Sequence, residues 1–419
     1  METSRTEAIA GITTFFTMAY IVVVNPAILA TEGTGLPFNA VMTATVVLAA
    51  SMTLFMGLYA KLPFAVAPGM GINAFFTFGL VFGKKIPAPT ALGMVFWAGV
   101  IFVVVSATGL RVAIARAIPK NLRAATGVGI GLFLSFIGLK SAGVVAANPV
   151  TLVQLGKLDA KALLALGGIA VAVFLLRKKS PFAFLVTIAV VTIASLPFGA
   201  ATIPAKVVAM PDFSLVGKLD IVGALRPALA PAIVAILLTD LFDSISTFIG
   251  VSQTAGLVDE HGEPVRLKEG LVVDAFATLF AGVLGTSSGT AYIESAAGVE
   301  VGGRTGRTAV VTALCFLPCL FLGPIAQMVP AQATAPVLVV VGALMFRSVR
   351  ALALESLEDV VPAFLTILLV PLTFSITQGI LWGFVAHVVL YSLAGRAREV
   401  SSGTWALAAV SVALLVIEH

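Results

Sequence analysis

Charge is scarce in this chain. Only 11% of its 419 residues are Asp, Glu, Lys or Arg, where an ordinary soluble domain carries about 25%. With 59% hydrophobic residues and a mean hydropathy of +1.09, that shortage excludes a separate soluble domain and points to a polytopic membrane protein. Cysteine is nearly absent. Cys315 and Cys319 lie four apart in one apolar run with no nearby His or further Cys, so they read as core helix residues rather than a disulfide or metal site. No Walker A, Gly-x-Ser-x-Gly, His-Glu-x-x-His or dinucleotide fingerprint occurs, so nucleotide-driven pumping and intramembrane zinc proteolysis lack their machinery. The reading is of no enzyme, with no catalytic residue, no cofactor and no metal. Basic residues fall between apolar runs rather than in a patch with interleaved aromatics, so no nucleic-acid partner is expected. The residues before Ile9 offer no small-residue cleavage site, and the first apolar run is expected to be retained.

Apolar runs long enough to cross a bilayer as helices dominate what is there. Hydropathy with Gly and Pro punctuation gives spans near 9–30, 39–60, 64–80, 89–109, 122–145, 162–176 and 182–199, then 228–252, 270–285, 289–300, 308–328, 334–346, 360–375 and 377–394. The expectation is an all-α membrane protein of 14 spans: a first repeat over 1–200, a connector over 201–227 and a second repeat over 228–395. The apolar tail at 404–417 either lies at the interface or packs on the bundle. With the N-terminus cytoplasmic, 17 Lys and Arg fall in inside segments and 7 outside, with Lys140 at a span end. That bias fits the positive-inside rule and a multi-pass protein of the plasma (inner) membrane. The lipid bilayer is its surroundings. The stretch from Arg347 to Asp359 reads as an amphipathic helix along the cytoplasmic face.

Two segments cannot be regular helices. Pro63 to Asn73 packs prolines and glycines into an apolar stretch, and Gly285 to Glu294 does the same with Gly, Ser and Thr. Non-helical backbone at membrane depth survives only where protein or a water-filled cavity satisfies it, and matched breaks in two halves mark a transporter's binding site. Each break falls in the third span of its half. An odd number of spans per half inverts the second copy, so short extended stretches in spans 3 and 10 are expected to meet across a pseudo-twofold axis.

Acids stand beside these breaks. Asp240, Asp243 and Glu294 lie in stretches suited to lipid, where an ionisable side chain usually handles an ion, a proton or a substrate. Glu294 and Asn73 occupy equivalent places in the two halves. An ionised carboxylate at 294 accepts two parallel N–H donors, which suits a flat heterocycle; its structural alternatives are capping a half-helix or pairing with Arg304. Asp240 and Asp243 share one helix face, so a proton site is expected there, with Asp243 in contact with substrate or proton and Asp240 in a supporting hydrogen bond to Thr or backbone. Among the aromatics, Phe75 and Tyr292 are the candidates to stack on a ligand, and Phe15, Phe16, Phe76 and Tyr20 read as packing. His387 reads as a core residue and Lys140 as snorkelling.

Longer motifs carry a resemblance: Ala10-Gly11-Ile12-Thr13-Thr14-Phe15-Phe16-Thr17-Met18-Ala19-Tyr20 with Asn25-Pro26, Ala67-Pro68-Gly69-Met70-Gly71-Ile72-Asn73-Ala74, Asp240-Leu241-Phe242-Asp243-Ser244, Glu294-Ser295-Ala296-Ala297-Gly298, and Gly302-Gly303-Arg304-Thr305-Gly306. Over nearly its whole length the chain resembles the azaguanine-like purine permeases, the AzgA-type branch of the nucleobase transporters. The resemblance implies import of hypoxanthine, guanine or adenine with protons. It also implies a core domain (9–109 and 228–328) moving against a gate domain (122–199 and 334–394), and a homodimer. Carried over by motif, Asp243 and Glu294 match the acidic positions that bind the base, with Asn73 and the backbone around Gly71 and Tyr292 completing the site. The chain departs from the pattern at Ser246 and Thr239, which bear on fine substrate choice beside Asp243. Other readings are a uracil or xanthine carrier on the same fold, a sodium-coupled symporter, since carboxylates and carbonyls also suit a hard cation, and an anion transporter or channel, which would need basic side chains in the crevice.

Overall fold

The computed structural model of the protein describes residues 2–108, 114, 118–260 and 264–418. Arg111 and Arg116 of the expected inside cations, and Gly109 at the end of a span, lie outside the described residues. Backbone that crosses lipid must pair within itself, and uninterrupted apolar runs do so as helices. Among the described residues, eight helices are long and apolar enough to cross a membrane: Ser4–Leu29, Phe38–Ala60, Ala88–Ala107, Lys120–Ser141, Ala160–Arg177, Pro227–Gln253, Ala331–Ala351 and Ile376–Leu393. Shorter apolar helices cover Met70–Gly83, Ala183–Phe198, Gly306–Phe321 and Ser402–Ile417.

In chain order the first part of the molecule comprises α1 (Glu2–Met18), α2 (Ile21–Leu29), α3 (Phe38–Phe55), β1 (Val66–Pro68), α4 (Met70–Ala74), α5 (Ala88–Ala107), α6 (Lys120–Ser141), the hairpin β2 (Val145–Asn148) and β3 (Leu152–Leu155), α7 (Ala160–Arg177) and α8 (Ala183–Ser195). The second comprises α9 (Ala230–Ala255), α10 (Leu267–Leu284), β4 (Gly289–Ala291), α11 (Ser295–Glu300), α12 (Gly306–Phe316), α13 (Gly323–Gln327), α14 (Ala331–Phe346), α15 (Leu357–Thr373), α16 (Ile376–Leu393) and α17 (Ser402–Glu418). Both interrupted segments have the expected form, a three-residue strand followed by a short helix. They pair antiparallel, with Val66 opposite Ala291, Ala67 opposite Thr290 and Pro68 opposite Gly289.

Helix packing falls into two sets of contacts. One set of contacts joins α3 to α12, α5 to α10, α1 to α12 and α5 to α9; another joins α6 to α14, α6 to α15, α7 to α14, α7 to α8 and α15 to α16. Small residues set the closest approaches. A Cβ on Gly306 would stand 2.0 Å from the Gly57 carbonyl oxygen, and a Cβ on Gly57 would stand 2.5 Å from that of Gly306, so both positions require glycine.

Residues 201–227 run as a strap tied to the bundle. Thr90 Oγ1 donates to Asp220 Oδ2 (3.1 Å), Trp97 Nε1 donates to the Ile221 carbonyl (2.9 Å) and Gly217 N donates to the Val283 carbonyl (2.8 Å). The apolar tail packs on the bundle as α17, with Leu414 and Leu415 against Leu381. The expected amphipathic helix over Arg347 to Asp359 is not formed. A 3₁₀ turn covers Arg347–Ala351, and helix resumes only at Leu357. Asn121 holds the break open: its Oδ1 accepts from Ala353 N (2.9 Å) while its Nδ2 donates to the Asp359 carbonyl (2.8 Å). Glu358 and Asp359 sit in the first turn of α15, where acidic residues favour the helix dipole. Gly306→Val is expected to destabilise the fold by about 1–3 kcal/mol, the usual effect of overpacking a tight contact; the check is its detergent melting temperature, which falls below that of the native protein.

Candidate functional site

Pro68 and the glycines and hydroxyl residues around it deny helix to both interrupted segments, so each must find its hydrogen bonds in the other. Beyond the ladder, Gly69 N donates to the Ser288 carbonyl (2.9 Å) and Tyr292 N to the Ala65 carbonyl (2.9 Å). Side chains complete the set. Thr53 Oγ1 donates to the Val66 carbonyl (3.0 Å) and accepts from Val66 N (2.9 Å), while Ser295 Oγ accepts from Ala65 N (3.0 Å). Ser287 Oγ donates to Asn73 Oδ1, and the Tyr292 hydroxyl donates to the Pro68 carbonyl. Asn25, in its Asn-Pro motif, reaches Thr45 (2.7 Å) and Thr286 (2.8 Å).

A cavity of about 470 Å³ opens beside this junction, within the usual range for a small-molecule site of about 300–1,000 Å³. Several elements line it. The break regions supply Gly69, Met70, Gly71 and residues 290–294; α9 supplies Phe242, Asp243, Ser246 and Thr247; α6 supplies Lys120, Arg123 and Ile130; the end of α14 supplies Val341, Leu344 and Met345; and the turn between α1 and α2 supplies Tyr20. Gly71 lets α4 close against α6, since a Cβ there would stand 2.6 Å from Ile130 Cγ2.

Of the expected site residues, Glu294, Asp243, Gly71 and Tyr292 line the cavity. Asn73, Phe75 and Asp240 do not. Asn73 is wholly buried and bonded to Ser287, where it joins the two broken segments. Phe75 is 1% exposed and packs beside Gly79. Asp240 is wholly buried, and its carboxylate accepts from Thr278 Oγ1, Ser288 Oγ (2.7 Å) and Ser244 Oγ (3.4 Å). Neither structural alternative for Glu294 is seen: its side chain makes no cap bond to α11, and Arg304 donates instead to the carbonyls of Val299 and Gly303.

Sequence reasoning missed three features. Asp274 sits in the apolar run Leu271-Val272-Val273-Asp274-Ala275-Phe276, the same signal that singled out Asp240. It is wholly buried, and its carboxylate accepts from Ala291 N (3.0 Å) on β4 and from Ser244 Oγ (2.7 Å). Tyr20, set aside as packing, donates its hydroxyl to Glu294 Oε1 at 2.6 Å. Lys120 and Arg123 line the cavity from the first turn of α6, which span counting registers only as inside charge.

Four carboxylates thus divide by their bonding. Asp240 and Asp274 are enclosed and supplied with donors. Glu294 receives one side-chain hydrogen bond, from Tyr20, and Asp243 receives none among the described residues. Both half-buried acids face the cavity. An acceptor-only group short of donors in low dielectric is a site for a ligand that brings N–H groups or a proton.

Comparison with known proteins agrees in kind. The family model described as Permease family matches residues 5–381. The chain is 43% identical to the adenine permease AdeP of Escherichia coli, over 95% of this chain and 90% of that one. It is 39% identical to the guanine/hypoxanthine permease PbuO of Bacillus subtilis, over 94% and 93%. Among solved structures, the transmembrane domain of a cyanobacterium bicarbonate transporter, BicA, superposes with a TM-score of 0.68 at 18% identity, covering 90% of this chain and 97% of that domain. That likeness is one of fold. Asp274→Ala is expected to lower stability by about 1–3 kcal/mol, because it strands the Ala291 N–H in a dry interior. The measure is the detergent melting temperature, with Asp274→Asn losing less.

Proposed function

This chain belongs to the permease family, and from that premise we propose that it is a secondary active transporter importing purine nucleobases. The reading rests on one observation above others: Glu294 and Asp243, the two acids short of donors, face a single cavity at the junction of two broken segments. Purines carry adjacent ring and exocyclic N–H groups that match a carboxylate's two oxygens. Relatives named as adenine and guanine/hypoxanthine permeases support the same substrate class. In this reading Glu294 holds the base, Asp243 exchanges the coupling proton or meets the substrate, and Gly71, Tyr292 and the strand ends shape the slot. Asn73 acts from behind by holding the broken segments together, and Asp240 braces the α9 face that carries Asp243. The cavity's cations, Lys120 and Arg123, both belong to the first turn of α6, while the acids lie beside the strand junction. An anion would have to sit against those acids, which disfavours anion transport here.

Transport proceeds by alternating access. Two inverted seven-span repeats supply a core, 9–109 with 228–328, that moves against a gate, 122–199 with 334–394. Recurrence of the packing supports the repeat: the contact of α3 with α12 has its counterpart in α5 with α10, α1 with α12 in α5 with α9, and α7 with α8 in α15 with α16. Proton symport is the expected coupling, with the N-terminus in the cytoplasm and the protein in the plasma membrane.

Uptake of radiolabelled hypoxanthine, adenine and guanine into proteoliposomes tests the reading. An inward acid gradient accelerates uptake, whereas an inward sodium gradient at constant pH does not; stimulation by sodium alone would assign the coupling to sodium. Absence of purine uptake under both gradients would remove the function. Glu294→Ala is expected to weaken purine binding about a hundredfold or more, since hydrogen bonds to a charged group contribute about 1.5–3 kcal/mol each and at least two are lost. A purine thermal-shift titration reads that loss, with the variant still monodisperse in detergent. Asp243→Asn is expected to abolish the acceleration by the acid gradient, and an unchanged gradient response would exclude Asp243 as the proton carrier.

A further inference from the structure

We propose that Tyr20 is a positioning residue for substrate capture: its hydroxyl fixes Glu294 by one oxygen and leaves the other presented to the purine. The inference rests on the reading of Glu294 as the group that holds the base. Tyr20 lies in the turn where α1 gives way to α2, and its ring is wholly enclosed. A buried phenol needs a hydrogen-bonding partner, and among the described residues the Tyr20 hydroxyl has Glu294 Oε1, at 2.6 Å. That length is typical of a strong O–H···O⁻ bond to a carboxylate. No side-chain cap bond or arginine holds Glu294 in place. Among the described residues the phenol is therefore the side-chain donor that selects its rotamer. With Oε1 engaged by the phenol, the carboxylate keeps lone pairs for ligand N–H donors.

The same ring does a second, separable job. It packs edge-on against Phe184 of α8, with centroids 4.9 Å apart. Hydrogen bond and ring contact can be removed one at a time. Tyr20→Phe keeps the ring on Phe184 and deletes the donor, whereas Phe184→Leu keeps the donor and deletes the ring contact.

Purine uptake kinetics in proteoliposomes decide the matter, with uptake by the native protein as the control for the transport reading itself. Tyr20→Phe is expected to raise KM about tenfold or more, the effect of one hydrogen bond to a charged acceptor, while the maximal rate changes less than twofold. Phe184→Leu leaves KM within twofold of native. Incorporation of 4-aminophenylalanine at position 20, which restores an N–H donor on the same ring, recovers part of the lost affinity. Should Tyr20→Phe not fold, 4-fluorophenylalanine at position 20, which keeps the ring and the size of its para substituent but has no donor, decides: a KM raised severalfold at unchanged maximal rate supports the positioning role, and a native KM overturns it. A native or lower KM in Tyr20→Phe, or an equal rise in Phe184→Leu, overturns it as well.

Discussion

Pairing between Val66–Pro68 and Gly289–Ala291 is the constraint on which the site depends. In lipid an unpaired peptide group costs several kcal/mol, so neither broken segment is tenable alone. Three residues a side make a short ladder. The remainder of the satisfaction comes from side chains: Thr53 on one strand, Ser295 and Tyr292 across the junction, and the Asp274 carboxylate on the Ala291 amide. The chain therefore spends buried hydroxyls and acids on backbone that helix would have satisfied for nothing. What it gains is a place where two helices begin and a cavity opens.

The acids beside the junction are best understood by what each receives. Asp240 and Asp274 sit in a mesh of Ser244, Thr278, Ser288 and Thr290, with Ser244 in contact with both carboxylates. Such a mesh binds α9, α10 and β4 into one body, so the position of Asp243 on α9 is fixed relative to the strand that precedes Glu294. Two enclosed acids thereby set the geometry of the two half-buried ones that face the cavity. Polar networks of this kind hold a unique arrangement when every member is satisfied.

Much of this was readable from residue order, and for identifiable reasons. Pro68 with Gly69 and Gly71, and Gly289 among Ser and Thr, break helix by local chemistry, so both interruptions were visible without neighbours in space. Glu294 and Asp243 were visible because lipid-suited stretches make any acid conspicuous. Asp274 carries the same mark and was passed over. Tyr20 was beyond reach, because its partner lies 274 residues away and a tyrosine among apolar residues reads as packing. Asn73 enters the expected site through its equivalence to Glu294 and the motif, and Phe75 as an aromatic able to stack, yet neither lines the cavity. The break between Ala351 and Leu357 depends on Asn121, more than two hundred residues earlier, and periodicity alone could only suggest an amphipathic helix there.

A carboxylate left short of donors is costly to the empty protein, and a ligand relieves that same deficit. In the proposed reading, the strength of capture is set as much by what Asp243 and Glu294 lack as by any contact they make. This bears directly on the class of cargo. A molecule rich in N–H donors gains twice, by filling vacant acceptors and by displacing water from the apolar part of the slot, formed by Ile130, Val341, Leu344 and Met345. A bare anion gains neither, since it adds negative charge beside two acids and offers them no proton. Fold likeness to a bicarbonate transporter and a nucleobase reading of the site are therefore compatible, since a shared fold does not fix the cargo and the proposed reading rests on the side chains that face the crevice.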